Sequence, residues 1–254
     1  MKYIGSKERI STGIVGVLQR LIYVNNIDTY IEPFVGGANI IDKVQCKNRY
    51  GYDIDPLVIA LHKTAVETPE KFDTLPKELS KQEYYTIRDG EYDLWYKAQA
   101  LFFGSYNSRA YGGCYGAQAT TKDGKIRNYY NEALSNYKAQ IPLLKGIHFD
   151  CADYREIEIP DGSLVYCDIP YKDTIGYVSK FDTNAFWEWA RELSKRAIVV
   201  VSEYEAPDDF KCIWEANLKT HLNNRNKLDR TEKLFVWGEK CLIYLEGKNL
   251  PKKS

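Results

Sequence analysis

The sequence predicts an α/β protein built on a mostly parallel sheet, opened once by a long insertion. Three observations predict it. The chain begins its ordered pattern as strand, glycine turn, helix, strand, helix. Much later it carries Ala197–Val201 (AIVVV), an apolar run of the kind a strand covered on both faces needs. Between the two lies a stretch of about 75 residues in which the alternation stops.

The first strand is Thr29–Val35 (TYIEPFV), running into Gly36-Gly37, and Ala38–Val44 then has the apolar spacing of a helix. Arg49–Ile54 (RYGYDI) is a second short strand, and Pro56 suits the first turn of a helix that runs to Val66. From Pro69 to Lys145 the chain turns polar and aromatic around SYNSRAYGGCYGAQATTKDGK, with turn signals at Gly112-Gly113, Gly116 and Asp123-Gly124. Strands return at Ile147–Asp153 (IHFDCAD) and Ser163–Asp168 (SLVYCD). A helix is expected over Asn184–Arg196, capped by Asn184 and carrying Phe186, Trp187 and Trp189. Leu234–Gly238 and Lys240–Glu246 read as a closing hairpin. Residues 1–68 and 146–254 would then form one domain, with 69–145 inserted into it.

Composition narrows the function classes. With 44% hydrophobic residues the chain can build a core, and no stretch approaches the roughly 20 apolar residues that span a bilayer. Its first residues, Met-Lys-Tyr-Ile-Gly-Ser-Lys, are too polar for a secretory signal. The six cysteines are scattered and there are three histidines, so no metal-site spacing exists. These features describe a cytoplasmic, reduced, metal-free protein with no membrane contact and no obligate protein partner evident. The net charge of zero argues against a protein held on nucleic acid by bulk charge alone. Ten of the 21 tyrosines fall between Tyr84 and Tyr137. Such a cluster suits either a wet nucleic-acid surface or a subdomain packing on itself.

Two turns carry the chemistry. Glu32-Pro33-Phe34-Val35-Gly36-Gly37 puts glycines where backbone can approach a ligand at a strand's C-terminal end. Asp53 ends the next strand, 16 residues past Gly37, near the spacing at which an acid reaches a ribose hydroxyl. No third spaced glycine follows, so a nucleoside cofactor without a pyrophosphate fits better than a dinucleotide. The second turn, Asp168-Ile169-Pro170-Tyr171, follows the apolar strand; proline cannot extend the ladder, so the chain must turn there. An ordinary Asp-x-Pro turn with a packed tyrosine would leave the same trace.

Taken together, the motifs resemble the Dam-type family of DNA adenine-N6 methyltransferases. The resemblance rests on Lys2-Tyr3-Ile4-Gly5-Ser6-Lys7, Glu32–Gly37, Asp53, the Pro69–Lys145 insertion, Asp168–Tyr171 and Val200-Val201-Ser202-Glu203-Tyr204, in that order over nearly the whole chain. It implies a Rossmann-like methyltransferase fold, S-adenosylmethionine as cofactor, and double-stranded DNA as partner, with 69–145 as a target-recognition subdomain. It further implies that Tyr3, Lys7, Glu32, Phe34, Gly36, Gly37, Asp53, Asp153 and Asp168 handle the cofactor. Within that set Lys7 would pair with the methionine carboxylate, and Asp153 would meet the adenine. Asp168 and the Ile169 carbonyl would accept from the target amino group, with Tyr171 stacking on the base. Ile169 stands where this family usually has proline; the contact expected there is a backbone carbonyl, so the site reads as active. Tyr3 stands where relatives often carry tryptophan, and a ring is retained.

Between Gly104 and Lys145 six basic residues face two acidic ones, a local net charge of +4 interleaved with tyrosines. Asn107, Arg109, Tyr111, Lys122 and Arg127 are candidate DNA contacts, since Arg and Asn commonly read base edges. A second basic stretch, Lys219–Lys233, adds Arg225. Three alternatives stay open: the same chemistry on RNA, a catalytically silent DNA-binding protein of the same fold, and a nicotinamide oxidoreductase.

Overall fold

A computed structural model describes residues 1, 3, 5–121, 123–170, 181–218 and 230–238. Lys122, Tyr171, Arg225 and the expected strand 240–246 lie outside the described residues, as do Lys2 and Ile4. The elements in chain order are α1 (Ser11–Asn25), β1 (Thr29–Glu32), β2 (Asn48–Asp53), α2 (Pro56–Glu67), α3 (Lys81–Asp89), α4 (Leu94–Gly104), β3 (Gln118–Thr120), β4 (Ile126–Asn128), α5 (Tyr129–Leu144), β5 (Ile147–Cys151), β6 (Leu164–Asp168), α6 (Thr183–Ser194), β7 (Ile198–Glu203), β8 (Phe210–Leu218) and β9 (Arg230–Trp237). They group into two compact units. This is an α/β protein whose longer-range strand pairings are mostly parallel.

The first unit comprises Met1–Arg9, Phe34–Lys43 and Arg49–Glu156. In it β2 and β5 pair in parallel, Arg49 opposite Ile147 and Asp53 opposite Cys151, so both strands end together. Helix α2 starts directly afterwards, with Pro56 in its first turn and the Asp55 carboxylate accepting from the Leu57 amide. Its buried side (Leu57, Val58, Leu61, His62, Ala65) packs against α4, α5 and β5. The C-terminal half of α4 is buried on all sides, from Ala98 through Gly104. The tyrosine cluster divides. Tyr84, Tyr130 and Tyr137 are fully buried core residues, whereas Tyr92, Tyr106 and Tyr111 are exposed. β3 and β4 form a small antiparallel hairpin whose turn uses Gly124 at φ +78°, as its Asp-Gly signal suggests.

The second unit comprises Ile10–Pro33, Val44–Asn48 and Ile157–Ser254. Its strands run β1-β6-β7-β9-β8, the first three parallel and the last two antiparallel. β6 is buried from Leu164 to Cys167 and β7 from Val199 to Ser202. Helix α6 buries Phe186, Trp187, Ala190 and Leu193 at helical spacing, and Trp187 meets Phe210 edge-on at 4.7 Å. On α1, Gly13 lies against the Trp214 indole so closely that a Cβ would sit 2.4 Å from a ring carbon.

Two sequence expectations need correction. Ala38–Val44 is a series of turns, not a helix. Ala38 sits at φ +54°, and the carbonyls of Gly37 and Ala38 accept from the Gln140 side chain rather than from amides one helical turn on. The cap of α6 is Asp182, whose carboxylate accepts from the Asn184 and Ala185 amides; it satisfies two orphan donors where Asn184 would satisfy none. β9, which contains Leu234–Trp237, pairs with β7 and β8, and its expected hairpin partner 240–246 lies outside the described residues.

Candidate active site

The glycine turn is held from several directions within the first unit. Gly36 adopts φ +45°, a left-handed conformation that favours glycine. Its amide donates to Asp53 Oδ2 at 2.9 Å, so the turn and the acid anticipated from their spacing meet in one hydrogen bond. A Cβ on Gly36 would lie 2.9 Å from the Tyr3 ring, and one on Gly37 would lie 2.8 Å from Asn39 Nδ2 and 2.9 Å from the Met1 carbonyl. Neither position has room for a side chain.

Asp53 sits at the end of β2 with its second oxygen accepting from the Asp55 amide at 3.0 Å. Burial pushes its pKa up to about 6, partly opposed by the backbone donors of Asp55, Gly36 and Ile54. Asp55 caps α2 and also accepts from the Tyr111 phenol at 2.8 Å; burial raises its pKa as well. Phe34 tilts against Tyr154 at 5.3 Å between centroids, just past the end of β5. The neighbouring Asp153 accepts from Arg155 Nε at 2.8 Å and Nη2 at 2.6 Å, and that guanidinium holds its carboxyl below the usual range. Tyr3 lies 5.8 Å from the Phe102 ring. Lys7 is buried, with its ammonium 3.5 Å from the Gly5 carbonyl. Gly36 is therefore the meeting point, in contact with both Tyr3 and Asp53, while Tyr3 also lies against Gly37 and Phe34 packs on Tyr154 next to Asp153.

The loop from Ser105 to Gly116 presents the candidate DNA contacts. It is closed by a Ser105–Tyr115 bridge and by the Tyr106 and Gly116 amides, which donate to Cys114 and Gly104. Asn107 (φ 57°), Ser108 (φ 55°) and Gly112 (φ 65°) all adopt left-handed backbone in this tight path. Asn107, Arg109 and Tyr111 are exposed on it, together with Tyr106. Arg127 belongs to the hairpin beside it and is already engaged, with Glu132 accepting at 2.7 and 2.8 Å and the Tyr129 ring 4.7 Å away.

In the second unit Asp168 ends β6, in register with Ser202 of β7. Ile169 is buried and Pro170 half-buried. Ser202 donates to Glu232 at 2.9 Å, and Glu32, buried at the end of β1, accepts from the Tyr30 phenol at 2.6 Å.

Sequence reading missed His62, Asn39, Gln140 and the role of Asp55. The Asp55-Pro56 pair was a legible cap signal. Asn39 directly follows the turn but carries no motif, and only the tertiary fold brings His62 and Gln140 to it.

A family model and several known proteins match this chain. A family model for the D12 class N6 adenine-specific DNA methyltransferases matches residues 3–207. The type II methyltransferase M.MjaIII of Methanocaldococcus jannaschii is 27% identical over 86% of this chain and 89% of its own length. The type II methyltransferase M.FokI of Planomicrobium okeanokoites is 22% identical over 96% of this chain, which spans only 38% of that larger protein. A solved structure from Listeria monocytogenes, described as a class I S-adenosylmethionine-dependent methyltransferase, aligns at TM-score 0.40 with 10% identity, covering 90% of this chain and 58% of its own. The family match takes in the glycine turn, Asp53, the insertion and the Asp168 corner, and the chain belongs to the D12 class of N6 adenine-specific DNA methyltransferases.

Proposed function

We propose that this chain transfers a methyl group from S-adenosylmethionine to the exocyclic amino group of an adenine everted from duplex DNA, at a defined sequence. The observation that carries the cofactor half is the Gly36–Asp53 hydrogen bond. It fixes a side-chain-free cradle beside a carboxylate at a strand's C-terminal end, the place where α/β folds take nucleosides. The donor set suits that group. Each Asp53 oxygen spends one acceptor site on a backbone amide and keeps capacity for the ribose hydroxyls. Tyr3 and Phe34 supply apolar faces, and buried Lys7 supplies a positive charge for a carboxylate.

When bound, the cofactor supplies an electrophilic methyl group on a sulfonium. The chain's own residues do the rest. The adenine amino lone pair is delocalised into the ring, so catalysis consists of holding that nitrogen in line and favouring its pyramidal form. Asp168 and the Ile169 carbonyl are the acceptors for its N–H groups, and they stabilise the positive charge that develops there. Eversion costs a few kcal/mol. Contacts from the exposed loop with Asn107, Arg109 and Tyr111 offset it, which makes residues 69–145 the target-recognition part. Tyr171 keeps the stacking role that the resemblance implies, and Lys122 and Arg225 the DNA contacts that the local basic charge suggests.

The decisive experiment is to sequence DNA from cells expressing the protein with a method that reports modified adenines. A methylated motif present with the wild-type chain and absent with Asp168→Ala is expected. Unmodified DNA under wild-type expression, with retained DNA binding, would instead support a silent binding protein.

A further inference from the structure

The geometry points to His62 and Gln140 as positioning residues that hold the cofactor-binding turn through its carbonyl oxygens. The inference rests on the reading of the glycine turn as the S-adenosylmethionine site and deepens it.

Three successive carbonyls of that turn are captured by side chains from two helices. His62 of α2 is fully buried, with Nε2 at 2.8 Å from the Gly36 carbonyl. Gln140 of α5 places Nε2 at 3.1 Å from the Gly37 carbonyl and 3.0 Å from that of Ala38, with Asp42 Oδ2 at 2.8 Å. A carbonyl can only accept, so His62 Nε2 carries the proton. Nδ1 is then the acceptor for the Tyr137 phenol at 2.9 Å, and Tyr137 again comes from α5. The imidazole stacks on Phe149 at 4.9 Å. Burial lowers its pKa to about 4, in keeping with a neutral ring of fixed tautomer.

In a trans peptide unit the carbonyl and the following N–H point in opposite directions. Pinning the Gly36 oxygen therefore fixes the direction of the Gly37 N–H, and Asp53 fixes the Gly36 N–H. Gly36 has no side chain to hold it and sits at φ +45°. These bonds therefore set the orientation of the peptide units on both sides of Gly36. A histidine retained for packing alone would need its ring but not its two nitrogens.

The test measures S-adenosylhomocysteine binding by calorimetry, well below each variant's melting temperature, alongside donor KM and kcat. His62→Phe keeps the ring and is expected to weaken binding at least tenfold. Glutamine places an amide nitrogen as many bonds from the backbone as Nε2, so His62→Gln should return binding to within about threefold. In His62→Phe donor KM should rise by a larger factor than kcat falls. Gln140→Leu should weaken binding by about threefold to tenfold. Wild-type affinity in folded His62→Phe would overturn the inference. Should that variant fail to fold, His62→Gln against His62→Asn decides, because asparagine reaches only the Nδ1 position. Tighter binding by the glutamine variant supports the role, and equal binding overturns it. A wild-type chain that binds no S-adenosylhomocysteine would remove the donor reading itself.

Discussion

The glycine turn and the Ser105–Gly116 loop solve opposite problems with similar backbone. Both contain left-handed residues, and both are tied by several main-chain hydrogen bonds. Around the turn, though, polar side chains point inward: Asp53, His62 and Gln140 all spend hydrogen bonds on backbone atoms. On the loop the backbone closes on itself, leaving Tyr106, Asn107 and Arg109 exposed. A site for a small ligand that must be held in one geometry benefits from the first arrangement. A surface that must take up contacts to a large polymer benefits from the second, because rigid backbone limits the ordering cost while side chains stay available.

The sharpest way to break this comparison lies outside both regions. Asp168→Ala should lower kcat by about two to three orders of magnitude, the usual loss of one stabilising acceptor or donor at a reacting centre. Labelled methyl transfer reads it, with donor affinity expected to stay within about tenfold. A wild-type-like rate would remove Asp168 from the mechanism.

Gly37→Ala tests the rigidity of the turn. The added methyl would meet Asn39 and the Met1 carbonyl at under 3 Å, so a loss of about 1–3 kcal/mol in chemical denaturation is expected, together with weaker donor binding. A turn that gives way freely would show neither change.

Asp53 supplies a pH signature. Its folded-state pKa of about 6 lies above the ordinary carboxylate value, so the carboxylate form, the one proposed to accept ribose hydroxyls, is depleted below pH 6 and restored above it. Donor affinity should therefore rise about tenfold from pH 5 to pH 7 and then level off. Asp53→Asn should bind weakly with a flat profile. A flat wild-type profile would separate this carboxylate from ligand binding.

The smallest effects belong to the two arginines. Arg109→Ala should cost about 1–3 kcal/mol of DNA affinity and relax discrimination at one base position. Arg127→Ala should cost less, because its guanidinium is already committed to Glu132 and an exposed pair of that kind contributes at most about 1 kcal/mol. Competition binding with single-base variants of the methylated site distinguishes the two; equal losses would erase the difference between engaged and available side chains.

What the sequence disclosed was local. Strand, glycine turn and acid lie within 25 residues of one another, and their order is a property of consecutive positions. The Asp168 corner was legible for the same reason, as proline must end the ladder where it stands. Long-range satisfaction was not legible. Ala38–Val44 has the apolar spacing of a helix, yet its first carbonyl is served by Gln140, about a hundred residues away, so periodicity gave the wrong answer. His62 lies on α2 among apolar neighbours and carries no motif. The tyrosine cluster misled by halves: aromatic content alone cannot separate Tyr137, which serves the core, from Tyr106, which is exposed.

The Tyr111 phenol also has a consequence for selectivity. It reaches from the exposed loop to the carboxylate that caps α2. A bond to an ionised acceptor contributes about 1.5 kcal/mol net at a partly exposed position. Any partner that recruits the Tyr111 hydroxyl must therefore replace its bond to Asp55.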